Sequence, residues 1–134
     1  MAKKAFWLFA GESFRREIMS TLEIARSYIG KNVAVTVDRP MGSTHPKHGF
    51  VYPINYGYIA GVKSGDGEDL DAYCLRYDGP AVQLAGTCVA VIHREDDDDD
   101  KLVVVPAGVS MSDNEILAAV GFQEKWFKSS VVRK

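Results

Sequence analysis

The chain predicts a mainly β (α+β) fold, a small antiparallel barrel or curled sheet with a helix at each end, and three observations predict it. Short β-prone runs recur with Gly- or Asp-bearing turns between them: Val33–Val37, Phe50–Ile59, Leu70–Tyr77, Val82–His93 and Leu102–Val105. A helix-spaced apolar face precedes these runs, and a capping-box sequence follows the last of them. The 134 residues, 46% hydrophobic and 10% aromatic, suffice for one domain with its own core and no staples.

The first ten residues are ambiguous. Met1-Ala-Lys-Lys followed by Ala5 to Ala10 imitates a signal peptide, but its apolar stretch is short and Glu12-Ser-Phe-Arg-Arg-Glu17 follows at once. The expected location is therefore cytoplasmic. Phe14, Ile18, Leu22, Ala25 and Ile29 recur at steps of four, four, three and four, the face of an amphipathic helix over 12–29 that stops at Gly30. Residues 1–30 form a helical extension in this reading, and 31–108 the barrel.

Val33, Val35 and Val37 alternate with Ala34, Thr36 and Asp38, so a half-buried strand carries Asp38 on its polar face just before Pro40 ends pairing. A loop from Met41 to Gly49 carries His45, Lys47 and His48. Ser112-Asp-Asn-Glu115 opens the closing helix, predicted over 110–130, which buries Ile116, Leu117 and Val120 and continues past Gly121 through Phe122 and Trp126.

Chemistry is concentrated between Tyr52 and Asp71. Three tyrosines precede a glycine turn, and Asp66, Glu68, Asp69 and Asp71 then fall within six residues. Like charges this close repel unless cations or protons offset them, so a hard divalent cation is the natural partner. A calcium loop of the EF-hand kind does not fit: counted from Asp66, position five is Leu70, six is Asp71 and twelve is Tyr77. The plain alternative is a solvated acidic turn.

Asp96 to Asp100 makes a second acidic turn, closed by Lys101 at the start of an apolar strand. Such a run is usually only a hairpin loop. Two carboxylate clusters on one small sheet are also the means to hold a pair of cations for phosphoryl chemistry. Lys47, Lys101 and Lys128 are candidate phosphate holders, and Tyr52 and Tyr56 can offer hydroxyls to the same cavity. The spacing His45-x-x-His48 suits a metal pair or phosphate contacts, although loop histidines without a third ligand commonly serve neither.

Some functions are excluded. A net charge of −2 argues against a general binder of nucleic acid or anionic membrane. No apolar run approaches the ~20 residues needed to span a bilayer. Cys74 and Cys88 lie in strand-like runs without metal-type spacing and read as small buried hydrophobes.

Taken together, these residues resemble the soluble inorganic pyrophosphatases of the small-barrel type, family I. Tyr52-Pro-Ile-Asn-Tyr-Gly-Tyr-Ile is similar to that family's Tyr-rich strand, and Asp66-Gly-Glu-Asp-Leu-Asp71 to its three-acid signature. Asp96 to Lys101-Leu-Val-Val-Val-Pro106 resembles its second acidic loop, Lys and strand. Asp38-Arg-Pro-Met-Gly-Ser43 resembles its Glu-x-Pro-x-Gly-Ser turn, and Phe127-Lys128 stands at its Tyr-Lys pair. The likeness covers about residues 33 to 128.

The resemblance implies an OB-like barrel, a homo-oligomer, and magnesium-dependent hydrolysis of inorganic diphosphate with two or more divalent cations. Asp66, Asp71, Asp96 and Asp99 would hold the cations. Glu68, or Asp71 by way of the metal, would help take a proton from water, and Tyr56 would orient that water or a ligating carboxylate. Asp38, Arg39, Lys47, Tyr52, Lys101 and Lys128 would meet the substrate, with His45 and His48 as further contacts. The chain departs from the family in having Glu68 where the base is an Asp, Asp38 in place of a Glu, and Phe127 without a hydroxyl. It also lacks the hairpin, with its glutamate and arginine, before the Tyr-rich strand. That open site leaves two alternatives: hydrolysis of another phosphoanhydride such as a nucleotide, or binding of metal and phosphate without turnover.

Overall fold

The computed structural model describes residues 20–134. Ser20 is extended (φ −69°, ψ 158°) and caps α1 (Thr21–Arg26). Its hydroxyl accepts from the Glu23 amide, and the Glu23 carboxylate accepts from the Ser20 amide. The helical face expected over 12–29 therefore does not run through Ser20, and its members Phe14 and Ile18 lie outside the described residues. Ala25 is buried, with Leu22 and Ile29 packed beside it. The turn after α1 ends at Gly30 with φ +91°, a conformation that costs only glycine little.

Six strands follow: β1 (Asn32–Arg39), β2 (Asn55–Lys63), β3 (Asp69–Cys74), β4 (Gln83–Arg94), β5 (Lys101–Val105) and β6 (Ser129–Val132), with α2 (Asp113–Glu124) between the last two. They lie in the order β1-β2-β3-β5-β4-β6, and β1 also pairs with β4, which closes the first five into a barrel. The OB-like barrel expected from the resemblance is thus present. Its pairs are antiparallel except β3 with β5. The exception arises because β5 turns back from β4 into the gap beside β3 and runs parallel to it.

β2 begins at Asn55 rather than at Phe50, since Pro53 has no amide to donate. A single bridge, Thr44 to Val51, closes the loop before it. Close approach of backbones explains Gly57, where a methyl group would overlap Thr36 O on β1.

Alternation along the strands separates two apolar layers. Val35, Ile59, Leu70, Ala72, Cys74, Leu102 and Val104 fill the barrel against Ala25 of α1. Tyr56, Tyr73, Ile92, Val103 and Val105 form an outer layer that Ile116 and Val120 of α2 cover. In β4 the register with β5 slips between Cys88 (opposite Val104) and Ala90 (opposite Val103). This bulge changes the parity of the strand, so Ile92 joins the outer layer and Arg94 follows it there. All of β5 is buried, as a central strand covered on both faces must be.

The stretch predicted as one helix to residue 130 divides into two elements. α2 passes Gly121 as expected but ends at Glu124, before Trp126, and β6 then pairs with β4. Phe127 N bonds Glu124 O in the turn, and the β-branched Val131 and Val132 suit an edge strand. Cys74 and Cys88 are free buried thiols, and burial pushes them up to about 12 and about 11. Among the described residues no helix is long and apolar enough to cross a membrane.

Candidate active site

The strand alternation that sends Leu70, Ala72 and Cys74 into the barrel turns Asp71 outward between β2 and β5, where it meets Tyr56 and Lys101. Tyr56 Oη donates to Asp71 Oδ2 at 2.9 Å, and Lys101 Nζ donates to the same oxygen at 3.1 Å. Burial, reinforced by Asp71, raises the Tyr56 phenol well above its ordinary value, so it stays a donor. Lys101 also reaches Asp99 Oδ1 at 3.1 Å and is 2% exposed.

Two cavities meet at this point. One, of about 420 Å³, is lined by the carboxylates Asp38, Asp66, Glu68, Asp69, Asp71, Asp99 and Asp100, and by one ammonium, Lys63, which pairs with Asp69 at 2.7 Å. The other, of about 390 Å³, holds three cationic side chains, Arg39, Arg94 and Lys101, with His45, His48 and the rings of Phe50, Tyr52, Tyr56, Trp126 and Phe127. Asp38, Asp71 and Asp99 border both.

Asp66 is shaped by its own turn. Its Oδ1 accepts from the Ser64 hydroxyl and, at 3.0 Å, from the Glu68 amide. These bonds, the Ser64 one foremost, hold its pKa below the usual range and keep it ionised. Asp38 moves the other way: burial raises it, Arg39 opposes that, and Asp71 adds to it.

Among the described residues no three His, Cys, Asp or Glu side chains are grouped closely enough to hold a metal ion as they stand. The acidic cavity is nevertheless an oxygen-only donor set facing one volume, the kind a hard cation such as magnesium takes while keeping several of its waters. The residues thus fit a divalent cation by chemistry.

A sequence profile described as Inorganic pyrophosphatase matches residues 17–128. The chain belongs to the inorganic pyrophosphatase family. It is similar in fold to the solved inorganic pyrophosphatase of Ehrlichia chaffeensis, at 17% identity and TM-score 0.62, over 78% of this chain and 87% of that one. The enzyme of Helicobacter pylori is similar at 17% identity and TM-score 0.54, over 80% and 84% of the two chains. That of Coxiella burnetii follows at 18% and 0.53, over 75% and 83%. At these identities the likeness is one of fold. No curated protein sequence matches significantly.

Within this family member the expected site residues fall into groups. Asp38, Arg39, Tyr52, Tyr56, Asp66, Glu68, Asp71, Asp99, Lys101, His45 and His48 line one or both cavities. Lys47, Asp96 and Lys128 are exposed and line neither. Lys128 precedes β6, and its carbonyl accepts from the Glu95 amide at 2.9 Å. His45 Nδ1 accepts from the amides of Lys47 and His48, each at 3.1 Å, which makes it the internal cap of the short loop between β1 and β2.

The run Asp96 to Asp100 has divided duties. Asp98 caps α1, Oδ1 accepting from the Thr21 amide at 3.2 Å. Asp99 meets Arg94 and Lys101. Asp100 is buried, accepting from the Arg94 amide at 2.9 Å beside His93 Nδ1 at 3.0 Å.

Sequence reasoning missed two anchors. Thr21 pins both acidic turns together, its hydroxyl donating to Asp98 O at 3.2 Å and accepting from the Gly65 amide at 2.8 Å. Arg94, 5% exposed, joins the second acidic turn to α2 through Asp99 at 3.1 Å and a two-pronged bond to Glu124 at 3.1 and 2.9 Å. Tyr73 and Ser129 each donate to Glu124 at 2.5 Å. Burial alone would raise Glu124, but the bonds from Arg94, Ser129 and Tyr73 outweigh it and hold its pKa low. One signal was available: Ile116, Val120 and Glu124 are spaced by four, so a carboxylate stands on the apolar stripe of α2 and demands a buried partner.

Proposed function

We propose that this pyrophosphatase-family chain hydrolyses inorganic diphosphate to two phosphates, with the acidic cavity taking divalent cations and the basic cavity taking the substrate. One observation carries the reading: the two cavities are contiguous and share Asp38, Asp71 and Asp99, so a chamber crowded with carboxylates adjoins one where Arg39, Arg94 and Lys101 balance the shared three.

Asp66 and Asp71 would hold magnesium in this reading. When bound, the ion would neutralise phosphoryl oxygens and make a nearby water easier to deprotonate. Glu68, at the lip of the acidic cavity, takes the proton of the attacking water as that water adds to one phosphorus and the bridging P–O bond breaks. Tyr56 and Lys101 fix the Asp71 carboxylate, so its second oxygen keeps a set direction. Arg39 and Lys101 offset the charge of the phosphates, and Tyr52, whose hydroxyl donates to Gln123 Oε1 at 3.2 Å, lines the same chamber. A cytoplasmic location and a homo-oligomeric assembly belong to the same reading and rest on family membership.

A second reading is favoured by Trp126, 64% exposed at the basic cavity. Diphosphate has no apolar surface to place against it, whereas a nucleoside phosphoanhydride stacks a base on such a ring. The test is phosphate release from diphosphate beside a panel of nucleotides, with and without magnesium. Turnover of diphosphate that Asp66→Asn abolishes supports the first reading, and turnover of a nucleotide alone supports the second.

A further inference from the structure

Both oxygens of Asp99 are taken by cations of the chain itself. Oδ1 receives Lys101 Nζ at 3.1 Å and Oδ2 receives Arg94 Nη1 at 3.1 Å. Asp71 differs, since its partners Tyr56 and Lys101 both meet Oδ2 and none meets Oδ1. Of the three carboxylates on the shared wall, Asp38, Asp71 and Asp99, Asp99 is the one with both oxygens held by cations.

Arg94 is not easily moved aside. Its Nε and Nη2 bind Glu124, which is 4% exposed, and its guanidinium lies 3.6 Å from the centre of the Phe127 ring. Asp97 Oδ2 stands 3.8 Å from Nη1. Displacing Arg94 would strand a buried carboxylate, a far larger cost than losing a surface pair. A guanidinium has five N–H donors and an ammonium three. After the bonds named, Arg94 keeps two and Lys101 one, and both side chains line the basic cavity. Arginine's planar fork matches phosphoryl oxygens two at a time.

We propose that Arg94 is a fixed cation of the site. It makes Asp99 a counter-ion in place of a metal ligand, and it offers its remaining N–H groups to a phosphoryl group of the substrate without any metal. Cation binding is then left to the other carboxylates of the acidic cavity, Asp66 and Asp71 foremost. The proposal rests on the basic cavity being the diphosphate chamber.

The test uses the full chain stripped of metal with a chelator and titrated with inorganic diphosphate by calorimetry. Wild type is expected to bind, and Arg94→Met combined with Glu124→Leu, which leaves neither buried partner alone, is expected to weaken binding roughly tenfold or more. No metal-free binding by wild type, or unchanged binding by the double variant, overturns the proposal. A second measurement does not depend on the double variant folding: Mn²⁺ binding followed by electron paramagnetic resonance in Asp71→Asn and Asp99→Asn. Asp71→Asn is expected to weaken Mn²⁺ binding and Asp99→Asn to leave its stoichiometry as in wild type. An equal loss in Asp99→Asn overturns the proposal. Neither readout needs turnover, so failure of the diphosphatase reading would show separately, as absence of phosphate release.

Discussion

The Tyr56 hydroxyl donates to Asp71 Oδ2 at 2.9 Å across the β2–β3 pair, on the oxygen that Lys101 also holds. Asp71 thus has a fixed carboxylate plane and a free Oδ1. Tyr56→Phe removes one of the two restraints without removing the carboxylate. Its expected effect is a loss of about 10–100-fold in kcat or in magnesium affinity, the range for a partner behind a ligand, with little change in Tm. Steady-state kinetics across magnesium concentration check it.

Glu68 lies in the acidic turn with its amide committed to Asp66 and its side chain at the cavity. As the group that accepts the proton of water, it predicts that Glu68→Gln lowers kcat by about 10²–10⁴-fold while KM changes little. Glu68→Asp, which keeps the carboxylate, should recover part of the loss. A KM effect without a kcat effect would assign Glu68 to substrate binding instead.

Glu124 provides a pH dependence whose sign is fixed. Its pKa is depressed in the folded chain by Arg94, Ser129 and Tyr73 against the opposing effect of burial. It therefore contributes stability that is full above the unfolded value of ~4.3 and is lost as pH falls through the lower folded value. Thermal melts should show Tm falling below about pH 4. Glu124→Gln, which leaves Arg94 without its buried partner, should cost about 3–5 kcal/mol near neutral pH, and the gap to wild type should narrow in acid.

Thr21 is the pin between the two acidic turns, so Thr21→Val, nearly the same in shape, removes only the hydroxyl bonds to Asp98 O and Gly65 N. The expected cost is about 1–3 kcal/mol, the sum for two hydrogen bonds each worth about 0.5–1.5 kcal/mol. Amide hydrogen exchange at Gly65 should quicken, while amides in β5 keep their protection.

The barrel was legible because its strands obey simple rules: Val33, Val35 and Val37 alternate, and Leu102–Val105 is an unbroken apolar run that must be covered on both faces. The meeting of Tyr56, Asp71 and Lys101 at one point was legible because the residue types and their order resemble the family's motifs. The parallel β3–β5 pair was not, because strand order depends on where β5 finds an unpaired edge, which no local pattern records. The bulge at Cys88–Ala90, which sends Arg94 outward, is equally silent in an apolar run. Nor does a run of five aspartates say which one caps a helix and which one meets an arginine, since identical side chains are told apart only by what the fold brings to each.

The central claim is that the acidic and basic cavities sharing Asp71 form one site for magnesium and diphosphate. Its most direct test is phosphate released from inorganic diphosphate by the purified chain as magnesium is titrated from zero, in parallel with Asp66→Asn and Asp71→Asn. The account predicts magnesium-dependent release that either substitution reduces by at least about 10²-fold. No release at any magnesium concentration, or release that neither substitution alters, would contradict it.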